Sequence, residues 1–405
     1  MPTTIGVGRS SDPDSYAAGA SAAREALFRA GKEKCDFILM FATVGYDQLR
    51  LLSGVRSVTG DTPLSGCSGE GVITQAGPEG ETVFTLSGPK PGSDVVGVMA
   101  IASDEIHIRN CNERGVRENS RRAGEEIGRR VAGNSHLNPQ VLWVMTDGLR
   151  TNVKQFLEGF ESAAARHIPC IGALSGDNFI LGNNFQYYND KVYSDSASCV
   201  LICGEVKMEL GVTHGCVPIG LEKTITKAGG NTVYTIEHQT AWDFFRQYLD
   251  KKWTKFTKEI RTFLDFAVKL PDDLATEYDQ YIIRAPMGQN PDDSMNFATE
   301  IPEGTKVQVI RRDADKISHG AGAMARRIKE RLGGRAPLFV LHVDCAARGR
   351  MFFGEAVKEK GIDPMQDVLG KDVPWLGLFA CGEIAPIKGV NYYHNQTAAL
   401  CVLYK

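Results

Sequence analysis

Three short apolar runs recur along the chain, and each is followed by the same sequel. Residues 36–43 (DFILMFAT) are followed, 20 residues after Thr43, by 63–70 (PLSGCSGE). Residues 141–147 (VLWVMTD) are followed, 22 residues after Asp147, by 169–177 (PCIGALSGD). Residues 338–344 (LFVLHVD) are followed, 30 residues after Asp344, by 374–383 (PWLGLFACGE). A short apolar run bounded by turn residues reads as a strand buried on both faces. A connection of twenty or more residues suits a helical crossover to a parallel neighbour and is too long for a hairpin. The pattern predicts an α/β fold with α+β elements, built from duplicated strand-helix-strand units in mixed, largely parallel sheets. Glu70, Asp177 and Glu383 each follow a glycine and are expected at equivalent strand ends. Polar groups at such ends are where open α/β sheets bind ligands.

Around these units the pattern predicts an alanine-rich helix over 16–30 and strands at 82–86 and 94–102 in the sheet of the first unit. A charged helix is expected over 116–131, hairpin-like stretches at 191–203 and 209–220, and a last strand from Thr397 to Tyr404. The Ala228-Gly-Gly-Asn break places a boundary between domains 1–232 and 233–405. Beyond it, Trp242, Phe245 and Leu249 share one helical face, and residues 251–258 (KKWTKFTK) read as a further amphipathic helix. Strand-like pieces follow at 280–285 and 305–311.

Composition narrows the class. The chain has 405 residues, 42% of them hydrophobic, and a net charge of −3, which supplies ample cores but no basic surface for nucleic acid. The basic clusters at 121–130 and 326–331 lie at helical spacing and read as solvated helix faces. No signal peptide is visible, and no window approaches the roughly 18 apolar residues of a membrane span, so neither membrane nor nucleic acid is expected as a partner. The ten cysteines include no C-x-x-C pair, which fits a reduced, cytoplasmic protein rather than a zinc ribbon or a disulfide framework.

Candidate chemistry concentrates between 338 and 397. Cys345, Arg348, Cys381, Glu383, His394 and Asn395 lie at predicted strand ends, and together suit a small polar or zwitterionic ligand. Arg348 is expected to meet a carboxylate, since its planar fork pairs with one in bidentate fashion; the plainer alternative pairs it with Asp344. An enzymatic alternative makes Cys345 a nucleophile with His394 or His342 as base. Cys345, Cys381, Glu383 and His394 lack metal-ligand spacing, so no metal is expected. His214, between Thr213 and Gly215, is either an ordinary buried histidine or an axial haem contact. No Walker-type phosphate loop occurs, and Gly6-Val-Gly8 lacks the third glycine of a dinucleotide fingerprint.

At these residues the chain resembles the FIST family, with paired N- and C-terminal FIST domains. The motifs 66–73 (GCSGEGVI), 172–177 (GALSGD) and 213–220 (THGCVPIG) resemble the N-terminal domain. The motifs 345–348 (CAAR), 381–384 (CGEI) and 394–397 (HNQT) resemble the C-terminal one. Cys216 stands where the family pattern has an aromatic residue. The resemblance implies a sensory signal-transduction protein that binds amino acids or related small molecules and is not an enzyme. It also implies an alternative, a haem-binding nitric oxide sensor using His214. The matching sequence fills the chain, so the expected output is through a separate partner such as a histidine kinase or a cyclic-nucleotide enzyme.

Overall fold

Alternate residues of each apolar run are buried for different reasons. Phe37, Leu39 and Phe41 join Val141, Trp143 and Met145, and Phe339, Leu341 and Val343, in one central hydrophobic core. The intervening Ile38, Met40 and Ala42 pack beneath helices of their own unit, as do Leu142 and Val144 and Val340. A strand apolar on both faces is what such a sandwiched position demands.

The computed structural model describes residues 3–85, 88–180, 182–257, 264–274 and 279–405, and its elements fall into three units. The first runs β1 (Thr4–Ser10), α1 (Ser15–Ala30), β2 (Phe37–Ala42), α2 (Gln48–Thr59), β3 (Leu64–Ser68), the hairpin β4 (Gly71–Thr74) and β5 (Gly77–Glu79), a ribbon of β6 (Val83–Thr85) and β7 (Gly88–Lys90), and β8 (Val96–Ala102). The second repeats this order: β9 (Ile106–Arg114), α3 (Ser120–Gly133), β10 (Pro139–Asp147), α4 (Val153–Ala163), β11 (Cys170–Ser175), the hairpin β12 (Gln186–Tyr188) and β13 (Lys191–Tyr193), and β14 (Ser196–Gly204). The third opens with β15 (Lys207–Thr213) and is then interrupted.

The insert comprises β16 (Cys216–Pro218), β17 (Lys223–Gly229), β18 (Thr232–Ile236), β19 (Gln239–Thr240), α5 (Ala241–Phe245), β20 (Leu264–Lys269), β21 (Tyr281–Arg284), β22 (Pro286–Gln289), β23 (Met295–Phe297) and β24 (Lys306–Arg312). Its strands form a sheet of nine among the described residues. The third unit then resumes with α6 (Ala314–Leu332), β25 (Pro337–Cys345), α7 (Arg350–Phe353), α8 (Asp363–Leu369), β26 (Trp375–Ala380), the hairpin β27 (Gly382–Ile387) and β28 (Val390–His394), and β29 (Ala398–Tyr404).

All three runs are central strands followed by helix and parallel strand, as the sequence predicts. The parallel pairs are β2–β3, β10–β11 and β25–β26. The remaining pairings in these sheets are antiparallel, so the sheets are mixed, with one parallel pair each rather than largely parallel ladders. The long helices start on aspartate or asparagine caps: Asp14, Asp47, Asn119, Asn152 and Asp313 each accept a first-turn backbone N–H. Each cap is worth typically ~1 kcal/mol.

Each unit lends its hairpin to a neighbour. The β4–β5 hairpin extends the third unit's sheet beyond β26. The β12–β13 hairpin extends the first beyond β3, and β27–β28 extends the second beyond β11. The exchange is cyclic, and three backbone bonds close it at the junction. Glu70 N–H donates to Phe379 O at 2.8 Å, Cys381 N–H to Leu174 O at 3.0 Å, and Gly176 N–H to Ser68 O at 3.0 Å.

Four local expectations are corrected. Among the described residues, Val83–Thr85 pairs with Gly88–Lys90 in a separate two-stranded ribbon and not with the main sheet; Leu86 lies outside the described residues. The stretches at 191–203 and 209–220 are not hairpins: β14 pairs with β9 and β10, β15 with β29, and β16 with β24. Described residues 251–257 form turns and loop rather than helix, with Trp253 and Phe256 packed on the insert's core; Lys258 lies outside the described residues. Finally, Glu70, Asp177 and Glu383 are not equivalent. Counted from the glycines that pair with Met40, Val144 and His342, they stand four, five and six residues on. The equivalents of Glu70 are Gly176 and Cys381, the residues that share its role in the cyclic bonds.

Candidate functional site

A cavity of ≈ 610 Å³ opens where the second unit, the third unit and the insert meet. The second unit contributes the turn after β10 (Gly148 to Asn152) and Phe179. The third contributes Cys345 at the end of β25 with Ala346 and Ala347 after it, Cys381 after β26, and Tyr393, Asn395 and Gln396 before β29. The insert closes it with Ala285 to Met287 and Phe297 to Glu300. A volume of this order suits a small molecule.

Three of the sequence-predicted site residues line the cavity: Cys345, Cys381 and Asn395. Asn395 is held rigidly, its Oδ1 accepting from Ala285 N–H at 3.2 Å and its Nδ2 donating to Tyr393 Oη at 2.8 Å. Burial, then the nearby Glu383 carboxylate, pushes the Cys345 thiol well up. Burial, then Glu70, does the same to Cys381. Both sulfurs are therefore held as neutral thiols, the opposite of the lowered pKa a cysteine nucleophile needs.

The other three lie behind the wall. Arg348 is 2% exposed; its Nε donates to Asp344 Oδ1 at 3.0 Å and its Nη1 to the carbonyls of Thr213 (2.9 Å) and His214 (2.8 Å). The expected meeting of Arg348 with a ligand carboxylate gives way to this buried pair with Asp344. Glu383 is fully buried, its Oε2 accepting from Thr397 N–H (3.1 Å) and Oγ1 (2.8 Å), and burial pushes its carboxyl up to about 8. His394 is buried with Nε2 3.0 Å from Ala385 O, and burial depresses it to about 3. It is a neutral structural imidazole rather than a base facing the cavity.

Sequence reasoning missed Arg150, Tyr393, Gln396 and the whole contribution of the insert. Arg150 had a signal. It stands six residues after Val144, as Arg348 stands six after His342, the two residues paired with Gly172 and Gly377. It lines the cavity, and its Nη1 donates to Asp147 Oδ2 at 2.7 Å.

His214 does not fit an axial haem ligand. Its Nδ1 accepts from Cys216 N–H at 2.8 Å, and its Nε2 lies 3.3 Å from Asp279 Oδ2. The ring is buried away from the residues lining the cavity, and burial depresses its pKa to about 4. Among the described residues no cluster of three or more His, Cys, Asp or Glu side chains is placed to hold a metal ion. No helix among them is long and apolar enough to cross a membrane.

Comparison with known proteins gives a family. The sequence model of the FIST N domain matches residues 36–239, and that of the FIST C domain matches 241–386. Similar relatives include an uncharacterised protein of Mycobacterium bovis, 28% identical over 47% of this chain and 49% of its own length. Another, of Methanocaldococcus jannaschii, is 26% identical over 37% of this chain and 30% of its own length. The chain thus spans about half the length, or less, of the curated relatives it matches. Solved structures aligned with it include a cyanuric acid hydrolase from A. caulinodans (9% identity, 99% of this chain and 98% of that chain, TM-score 0.36). A chorismatase aligns at 9% identity over 100% of this chain and 99% of that chain, TM-score 0.37. These neighbours carry the names of enzymes, and the expectation that the chain is not an enzyme is withdrawn on that finding.

Proposed function

The chain belongs to the FIST family, and from that premise we propose that it senses a small polar ligand, amino-acid-like in character, bound in the ≈ 610 Å³ cavity. FIST domains are sensory, ligand-binding modules of signal transduction. The observation that carries the reading is the composition of the cavity wall. Gly148 to Gln155 come from the region matched by the N-terminal domain, and Cys345 to Cys381 from the region matched by the C-terminal one. A ligand there touches both halves at once. It therefore binds one relative arrangement of them better than another, which is the differential affinity that any ligand-driven change requires.

Arg150, paired with Asp147, and Glu300, paired with Lys154 at 3.1 Å, put one cation and one anion on the wall, which also carries the Asn395 amide and apolar Phe179, Phe297 and Met351. That mixture supports a zwitterionic or amide-bearing ligand over a wholly apolar one. A thermal-shift screen with amino acids and small amides tests the reading, since a ligand at ~100 times its Kd adds ~2.7 kcal/mol of stability. The hit should vanish in Ala298→Trp, which fills the cavity from the insert side. A panel without hits, or a hit indifferent to Ala298→Trp, would refute the site.

A further inference from the structure

Glu70 is fully buried at the junction of the three units and does not line the cavity, yet it touches two parts of its wall. Its Oε1 accepts the backbone N–H of Asp177 at 2.9 Å and of Phe179 at 3.4 Å, and the Cys381 thiol donates to the same oxygen at 3.5 Å. Phe179 and Cys381 both line the cavity. The turn it holds is strained: Asn178 and Phe179 have φ of 58° and 56°, left-handed values that side chains other than glycine adopt at a cost. Convergent backbone N–H groups in such a turn form an anion-binding concavity, and here the anion is a side chain of another unit. A Cβ on Gly176 would stand 2.6 Å from Glu70 Oε1, so the chain leaves room for this carboxylate and little else.

We propose that Glu70 is the positioning residue of the cavity, and that the placement of the Asn178–Phe179 turn and of Cys381 depends on the charge of this one carboxylate. The inference rests on the cavity being the ligand site, and it adds a regulation to it. With Glu70 ionised, two charge-assisted bonds hold the turn and Phe179 stays packed as a wall. With Glu70 protonated, those bonds weaken to neutral ones and the stored backbone strain is free to relax. The titratable groups facing Glu70 are Asp177 from the second unit and Cys381 from the third. Asp177 opposes its ionisation, while Cys381 and the two N–H donors favour it. Burial, the largest influence, places the titration at about 7, inside the range a cell can vary. The cavity of a sensor would then read proton activity together with its ligand.

The test needs no ligand. Site-resolved hydrogen exchange of wild-type protein between pH 8.5 and 5.5, corrected for intrinsic rates, should show the Asp177 and Phe179 amides losing protection roughly fivefold or more as Glu70 protonates. In Glu70→Gln both amides should exchange at the faster rate at every pH. Cys381, relieved of the neighbouring carboxylate, should react severalfold faster with iodoacetamide at pH 8. Protection that does not change with pH in the wild type overturns the proposal whether or not the variant folds. So does a Glu70→Gln protein with wild-type exchange and wild-type alkylation. A ligand screen without hits would instead count against the cavity as a ligand site and leave these ligand-free readings intact.

Discussion

Gly172 lies so close to the carbonyl oxygen of Val144 that a Cβ built on it would stand 1.9 Å from that oxygen. Gly66 stands in the same relation to Met40 O, at 1.9 Å, and Gly377 to His342 O, at 2.4 Å. These are the parallel pairs β3–β2, β11–β10 and β26–β25, so one steric requirement recurs in all three units. It explains why the sequel to each apolar run carries a glycine at its fourth position.

Gly172→Ala should therefore be destabilising by about 3 kcal/mol or more, because backbone on both sides must give way in a packed core. Gly133→Ala, where a Cβ meets nothing within 4 Å, serves as the control and should be neutral or slightly stabilising. Urea unfolding followed by circular dichroism measures both. Equal midpoints would contradict the close approach.

Arg348 should matter to folding rather than directly to ligand affinity. Arg348→Met leaves Asp344 buried without its cation and should cost roughly 3–5 kcal/mol. Adding Asp344→Asn should recover a large part of that loss, since the uncompensated charge disappears. A full double-mutant cycle by denaturant titration checks it. A single variant of wild-type stability that binds ligand more weakly would restore Arg348 to the site.

Stability should rise as pH is lowered from 8 to 6.5. Burial pushes Glu383 and Glu81 up to about 8 each, from an ordinary 4.5. A carboxyl with a raised folded pKa binds protons more tightly in the native state. Its ionisation costs nothing below the unfolded pKa, and the cost grows until the folded pKa is passed. Glu383→Gln should flatten this slope and stabilise the protein at pH 8 by an amount on the order of 3 kcal/mol. Below pH 6.5 two histidines act in the opposite direction. His214 and His394 have folded pKa values depressed to about 4 and about 3, so stability from them is lost as pH falls. Thermal midpoints across this range give both slopes, and a midpoint that climbs with pH between 6.5 and 8 would sink the argument.

Haem added to the purified protein should give no Soret band that depends on His214. Its Nδ1 is taken by the Cys216 N–H at 2.8 Å and its Nε2 faces Asp279. Absorption spectra of haem-loaded wild type and His214→Gln should be alike. A band present in the first and absent in the second would contradict this geometry.

The apolar strands, the crossover helices and the glycine of each unit were legible in the sequence because they are set locally. A strand covered on both faces must be apolar at every position, and a glycine forced by a neighbouring carbonyl keeps its place relative to that strand. The site was less legible. Arg150 and Arg348 have similar local surroundings: each follows a buried strand and pairs with an acid at the end of that strand. One lines the cavity and the other is sealed beneath the wall. The acids Glu70, Asp177 and Glu383 looked equivalent because each follows a glycine, but the strand register, not that glycine, is the true reference.

By itself, then, the sequence determined the α/β class, the three strand-helix-strand units and the family, since each depends on residues close together in the chain. Only the tertiary structure decided which unit receives each hairpin. Backbone hydrogen bonds at a sheet edge accept any strand of suitable length, and the choice depends on how three separate sheets close around one core. The same closure places Phe179, Cys381 and the insert around one cavity and sets Glu70 of the first unit against the turn of the second. Those groups are separated by up to 311 residues in sequence, and no local pattern records that they meet.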